Sequence, residues 1–406
     1  MSSASPNVPS IGSANPSVTN NMAREVCHCY EINLQTGLGG GEIYTRFFTQ
    51  ALIDLGWKVT LIVKRGSWLS SNLGMPRVSI LEVDDLGTVP DVIADDHAPV
   101  FAHTPFSGEI AERIRRHHRL IYFAHMPLHG RNPSAFHSCD LILAVSNHVI
   151  DSLKAAGLSH YYAEPLYGVA DLERGGNGST EVRRGPSYDW DRRKFRDWFL
   201  SLTYPIARRM RRSEAYHKRP GLTLGIVSRL TPIKQFPLLF THLAPILAKH
   251  PMVNLEIFGS GGYASVRDLR RALKPVAAQV RYWGHQQDVT RIYQALDFLL
   301  TGLPEKEALG LNVIEAQACG LPVIAVNAPP FTETVLDGQT GCLYADPRQD
   351  AGRSFDQLLT RLCAGERPKP GQLAPAHLQQ FSYPAFRNRV QTLLQYLGKD
   401  VKRESR

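Results

Sequence analysis

Glu307 and Glu315 stand eight residues apart in the stretch from Pro304 to Ala325, and Gly310 between them opens a segment predicted as helix over 311–319. Gly320 ends that helix, and Leu321-Pro322-Val323-Ile324-Ala325 reads as a buried strand. A loop that feeds a helix N-terminus presents unpaired backbone N–H groups and the positive end of the helix dipole, which suit an anion. A carboxylate beside such an end accepts two hydroxyls of a ribose or hexose. Together these groups suit a sugar nucleotide.

Other residues of the same chemical kind sit at comparable places. Ser228-Arg229-Leu230-Thr231-Pro232-Ile233-Lys234 follows an apolar run over 222–227. Arg229 offers a two-pronged fork and Lys234 a point charge, a pair fitted to a pyrophosphate that gains negative charge as its sugar leaves. Gly37-Leu38-Gly39-Gly40-Gly41-Glu42 opens the first predicted helix, where glycines let backbone approach a ligand closely. Its spacing is not the G-x-G-x-x-G of dinucleotide-binding enzymes. His103, His125 and Gly259-Ser260-Gly261-Gly262 each lie just past a predicted strand, and Ser146 reads as a helix N-cap. Two patterns that suggest metal are set aside. Asp189-Trp190-Asp191 lies away from any strand end. Cys27-His28-Cys29 falls on a strand, whose alternate residues face opposite sides, with no second Cys/His pair at metal-site spacing. No metal and no cofactor is expected.

Strands are predicted over 26–32, 58–63, 78–83, 100–102, 120–124, 141–145 and 161–166, with helices over 42–55, 107–117 and 147–156 between them. The rhythm restarts with strands over 222–227, 255–258, 280–283, 298–300 and 323–326 and helices over 237–249, 264–273, 289–295 and 311–319. Such alternation argues an α/β fold with two parallel, doubly wound sheets, each covered on both faces. Ligands of such sheets bind outside the carboxyl ends of the strands, so the cleft between the domains is the expected site. The divisions are 1–21, an uncharged tail rich in Ser, Asn and Pro; 22–171, the N-terminal domain; 172–220, an insertion; 221–380, the C-terminal domain; and 381–406, a closing helix. Met22, just before the first strand, is as good a natural start as Met1.

The insertion holds 13 Lys/Arg against 6 Asp/Glu, hence +7 of the chain's +9. Residues 173–186, rich in Gly and Arg, read as disordered. The segment 188–212 mixes Trp190, Phe195, Trp198, Phe199 and Tyr204 with Arg192-Arg193-Lys194 and Arg208-Arg209, the make-up of an interfacial helix. Docking to an anionic membrane surface and a plain solvated basic loop both fit the insertion 172–220 as a whole. Arg113, Arg115, Arg116 and Arg119 would extend such a surface. A chain of 406 residues with 43% apolar and 20% charged content is that of a globular protein with room for two domains. No apolar run is long enough to cross a bilayer. Residues 1–21 lack the basic and apolar regions of a signal peptide. The scattered cysteines point to a reducing, cytoplasmic setting, peripheral to the inner membrane face if the insertion docks there.

The block 304–325, with Gly310, Glu315-Ala316 and Cys319-Gly320, resembles the E-x7-E signature of retaining glycosyltransferases of family 4, with the GT-B fold. The Arg229/Lys234 loop is similar to that family's Gly-Arg-Leu-x-x-x-Lys-Gly motif, with Ser228 and Gln235 in place of its glycines. The resemblance covers roughly 24–171 and 221–398, and it implies metal-free transfer of a hexose-type sugar from a nucleotide diphosphate sugar to a glycan or lipid-linked acceptor. It implies that Glu307 contacts the transferred sugar and Glu315 the ribose. Gly310, Leu311 and Asn312 would offer amides to the phosphates, and Gly39, Gly40 and Gly41 would reach the donor phosphate and the acceptor. Gly259 and Gly261 would lie near the nucleobase, and His125, Arg229 and Lys234 near the leaving group. The last helix would return to the N-terminal domain. Ala308-Leu309 replaces the family's commoner Gly-Phe, which bears on donor preference. Three other readings stay open: a nucleotide-sugar epimerase on the same fold, a pseudo-enzyme that only binds, and a basic membrane- or nucleic-acid-binding non-enzyme. The pI near 9.3 prompts the last, but no nucleic-acid recognition module is visible and no nucleic-acid partner is expected.

Overall fold

The computed structural model describes residues 27–106, 108–170, 181–189 and 214–404. Its first sheet joins β1 (His28–Asn33), β2 (Lys58–Lys64), β3 (Val78–Val83), β4 (Val100–Ala102), β5 (Leu120–Ala124) and β6 (Leu141–Ala144). The second joins β7 (Leu222–Val227), β8 (Val253–Phe258), β9 (Val280–Gly284), β10 (Phe298–Leu300), β11 (Val323–Val326) and β12 (Gly341–Tyr344). Every pairing is parallel, in the orders β3-β2-β1-β4-β5-β6 and β12-β11-β10-β7-β8-β9. Both sheets therefore reverse direction beside their first strand, between β1 and β4 and between β7 and β10. The loops that leave these strands part at those points and open a crevice. Central strands buried on both faces explain the continuous apolar runs, with every residue of β5, β7 and β8 buried.

The closing helix Tyr383–Glu404 packs on the N-terminal domain although it follows the C-terminal one. Phe386, Val390, Leu393 and Leu397 recur at spacings of four, three and four, one helical face, and all four join the core around Phe48, Phe101 and Phe123. Tyr383 Oη donates to Asp54 at 2.6 Å, at the end of the first helix, Gly40–Asp54.

The elements depart from expectation in three places. The run 161–166 is not a strand: only Tyr161 makes a bridge, to Ile142, and Pro165 removes a ladder donor in its middle. Further elements were not expected, among them the four-residue β12 and helix Phe331–Thr334, and the helix Arg353–Cys363. Part of the region read as disordered is ordered. Residues 181–189 and 214–220 form a neck: Arg183 bridges Ala215 antiparallel, Gly185 N–H donates to Trp283 O at 2.7 Å, and His285 N–H to Pro186 O at 3.1 Å.

That neck uses charge the sequence counted as solvated. Arg219 and Arg281 both converge on fully buried Glu256, Trp283 Nε1 donates to it at 2.6 Å, and Lys218 pairs with Asp297 at 2.8 Å. Arg184 pairs with Glu214 at 3.0 Å. In the N-terminal domain Arg113 and Arg115 pair with Asp91 and Asp140, so they are not open cations either. The aromatic and basic segment 190–213 lies outside the described residues.

Candidate active site

The reversal between β7 and β10 gathers the charged candidates. Arg229 and Lys234 leave β7 in one loop, and Glu307 lies in the loop that leaves β10. Lys234 Nζ and the Glu307 carboxylate form an ion pair, both largely buried. Arg229 is exposed, and its Nη1 lies 3.2 Å from where a Cβ at Gly39 would stand, so it reaches across to the first domain. The same position would be 3.1 Å from Glu42 Oε2, a buried carboxylate in the first turn of that domain's first helix. Glu42 carries no motif of its own. An acidic residue directly after a glycine run at a helix start is the signal that marks it.

The helix Leu311–Ala318 begins on Gly310, whose φ of +84° is one that glycine adopts without strain. Its first-turn amides, those of Leu311 and Asn312, lie outside the helical ladder. Asn312 Nδ2 donates to Val227 O at 3.1 Å, fastening the helix start to the end of β7. Glu315, one turn on, accepts from Tyr293 Oη at 3.0 Å. It lines a cavity of about 160 Å³ with Arg229, Gly259, Ser260, His285 and Asn312. That volume is below the ~300–1,000 Å³ of a complete small-molecule pocket, so the cavity takes one end of a ligand whose remainder lies in the cleft.

Gly259 is held at φ +152°, and a Cβ there would run into the Ser228 carbonyl. The turn therefore needs glycine to let the loops after β7 and β8 touch. Gly261 is tied to the neck. Its N–H donates to Ser187 O at 3.1 Å and its carbonyl accepts from Asp189 N–H at 2.9 Å, so neck residues cover it.

The two domains close on each other around the block 304–315. Ala308 packs with the N-terminal core, and Leu309, Ile314, Tyr167 and Phe381 form one apolar cluster. A Cβ at Gly40 would stand 3.2 Å from Leu311 Cδ1, while one at Gly41 meets nothing within 4 Å. Ser146 caps its helix by accepting from Val149 N–H at 3.1 Å, and its hydroxyl donates to Ala308 O at 2.5 Å. Glu333 accepts from the amides of Asn147 and His148 at 2.9 and 2.7 Å, so the second domain supplies a carboxylate to a helix N-terminus of the first. The Ala308-Leu309 departure thus falls in the domain contact.

Across the cleft His125 lies just past β5 and keeps part of its surface open. His103, past β4, is buried, and its Nδ1 is 2.8 Å from His125 Nε2. Its Nε2 is 2.8 Å from Glu31 Oε1, on β1. Burial pushes the Glu31 carboxyl up to about 8, against the Thr49 hydroxyl bond, and drives His103 down to about 3. Burial, reinforced by His103, also drives His125 well down. Glu31 carries no motif; a single acid between the apolar Tyr30 and Ile32 of a strand is its only sequence signal.

Two doubly wound domains of order 3-2-1-4-5-6, closed by a returning helix, are the GT-B fold. Residues 221–361, within the C-terminal domain, match the family described as glycosyl transferases group 1. The D-inositol 3-phosphate glycosyltransferase of Rhodococcus erythropolis is 30% identical over 177 residues, 40% of this chain and 39% of that relative. A GDP-mannose-dependent monoacylated alpha-(1-6)-phosphatidylinositol monomannoside mannosyltransferase from Corynebacterium glutamicum is 31% identical over 197 residues, 45% of this chain and 50% of its own. The match thus spans half or less of these relatives' length. Among solved structures, Anabaena Alr3699/HepE in complex with UDP-glucose superposes with a TM-score of 0.67 at 16% identity, over 91% of this chain and 99% of that one.

Proposed function

We propose that this chain is a retaining, metal-independent glycosyltransferase that moves a hexose-type sugar from a nucleotide diphosphate sugar to a glycan or lipid-linked acceptor. The observation that carries the reading is the Lys234–Glu307 ion pair at the β7/β10 reversal, beside Arg229 and the Glu315 cavity. In this reading Arg229 and Lys234 neutralise the diphosphate as the sugar leaves. The amides of Leu311 and Asn312 receive phosphate oxygens, and Gly39, Gly40 and Gly41 bring the first domain close to them. Glu307 accepts hydroxyls of the sugar and Glu315 those of the ribose. Gly259 keeps the base end open. His125 faces the reacting centre from the other domain.

HepE is named with UDP-glucose and the Corynebacterium relative as GDP-mannose-dependent, which supports a nucleotide diphosphate sugar and leaves the base open. Thermal shift and donor hydrolysis across UDP- and GDP-linked hexoses are expected to show stabilisation and turnover with at least one donor. No response to any of them overturns the reading.

Both relatives are named for phosphorylated inositol acceptors, which supports an anionic acceptor, and the Corynebacterium one is named for a phosphatidylinositol lipid, which supports delivery at a membrane. Among the described residues no helix is long and apolar enough to cross a bilayer. The reading places the enzyme at the cytoplasmic membrane face, docked through residues 190–213 with the paired neck left intact. Flotation with anionic vesicles is expected to capture the full chain and not a variant lacking 190–213. Equal capture of both, or of neither, defeats the docking.

A further inference from the structure

We propose that Glu31, His103 and His125 form a proton-accepting relay that opens into the cleft at His125 Nδ1, with Glu31 and His103 as positioning residues; this rests on the transferase reading above. The three groups come from the ends or interiors of adjacent strands β1, β4 and β5, and two 2.8 Å contacts join them in a line. The two imidazoles lie 14° from parallel, His103 stacks on Phe123 at 4.5 Å, and Tyr44 closes on His125 from the first helix at 5.1 Å. These ring contacts hold the ring planes, so each of the joined nitrogens keeps one partner while the proton between them can change sides.

The proton order follows from the contacts. With Glu31 ionised, Oε2 accepts from the Thr49 hydroxyl at 2.6 Å and Oε1 accepts from His103 Nε2–H. His103 Nδ1 is then a lone pair and must accept from His125 Nε2–H, which leaves His125 Nδ1 unprotonated. When a hydroxyl in the cleft loses its proton to His125 Nδ1, the Nε2 proton of His125 passes to His103 Nδ1, and the Nε2 proton of His103 passes to Glu31 Oε1. The O–H electron pair stays on the hydroxyl oxygen for the new bond to the sugar carbon, and the pair of the broken sugar–phosphate bond leaves with the diphosphate. The relay goes from one negative charge to none, and neither histidine ever carries a full positive charge in a buried place.

The neighbours of Glu31 and His125 leave that assignment to the three groups. Cys29 lies two residues away on β1, and burial pushes its thiol up so that it stays neutral. Tyr44 Oη donates to Leu166 O at 2.8 Å, and burial raises its ionisation far above neutrality. Arg389, on the closing helix, stacks on Tyr167 at 5.0 Å and donates to Gln380 O, so it is held away from the carboxylate.

Acceptance of a proton requires ionised Glu31, so turnover rises with pH through the carboxyl's midpoint near 8. Donor hydrolysis or transfer by the full chain, measured between about pH 6 and about pH 10, is expected to show that rise. Glu31→Gln should remove it and lower kcat at least about tenfold, with nucleotide affinity unchanged within about twofold. Glu31→Gln with near wild-type kcat and the same pH profile overturns the relay. A second measurement needs no activity and no variant that folds poorly. In wild-type protein labelled with 15N-histidine, and assigned with His125→Gln, the His125 proton should sit on Nε2 above the midpoint and on Nδ1 below it. A His125 tautomer that does not change across that range overturns the relay even if the enzyme turns over. If no nucleotide sugar is bound or hydrolysed, the transferase reading falls, and the tautomer titration still decides the relay.

Discussion

Lys234→Ala is expected to lower nucleotide-sugar turnover about 30-fold or more, a loss of ~2 kcal/mol of transition-state stabilisation. The cation sits at the sheet reversal, paired with Glu307 and largely buried, where a charge interacts more strongly than in water. Its removal acts twice on the same step. The departing diphosphate loses one of two cations in its loop, and the Glu307 carboxylate is left unopposed beside a growing negative charge. Arg229→Ala removes a cation at an exposed position, where solvent and salt screen its charge, and should fall short of the Lys234 effect. Lys234→Arg restores charge without the compact ammonium that fits beside Glu307, so recovery should be partial. Steady-state kcat/KM for hydrolysis of the best donor decides the matter. Turnover of Lys234→Ala within a few-fold of wild type removes Lys234 from the site.

The placement of the candidate site's second-domain half was legible because its charged residues lie in the loops that follow strands. Arg229 and Lys234 after β7, and Glu307 after β10, need only the alternation of apolar runs and helical stretches to be placed at the carboxyl edge. That they meet was implied by the family resemblance and not by the strand pattern, since sequence order does not say that β10 lies beside β7. The neck was misread for a related reason. Gly185 and Arg183 look like loop composition, yet their backbone groups are used by Trp283 and Gln286, about 100 residues away. Charge counting fails in the same manner when Arg219 is a partner of a buried acid rather than a surface cation. Glu31 and Glu256 show what signal was present. Each is the one acid of an inner strand and fully buried, at a position where an ionisable group stays only with a partner. The partners come from distant parts of the chain, so the anomaly was visible and its resolution was not.

Glu256→Ala is expected to be the most destabilising single change in the second domain, at ~3–5 kcal/mol. The carboxylate is fully buried, and two guanidinium groups, of Arg219 and Arg281, meet at its Oε1 at 3.1 and 2.6 Å. Without it the two cations repel each other in a partly dry place, and the Trp283 Nε1–H loses its acceptor. Each loss falls on β9, the edge strand, and on the neck that hangs from it through Gly185 N–H to Trp283 O. Glu256→Gln keeps the shape and an acceptor for Trp283 but not the charge, so it should lose most of the stability while binding Trp283 as before. Denaturation of the full chain, with hydrogen exchange read separately at β8, β9 and residues 181–189, tests the assignment. Exchange should accelerate there and stay unchanged in the first sheet, since the two sheets have separate cores. A loss below ~1 kcal/mol with unaltered exchange at the neck shows that the cluster only balances its own desolvation, and that β9 is held by its ladder and apolar packing alone.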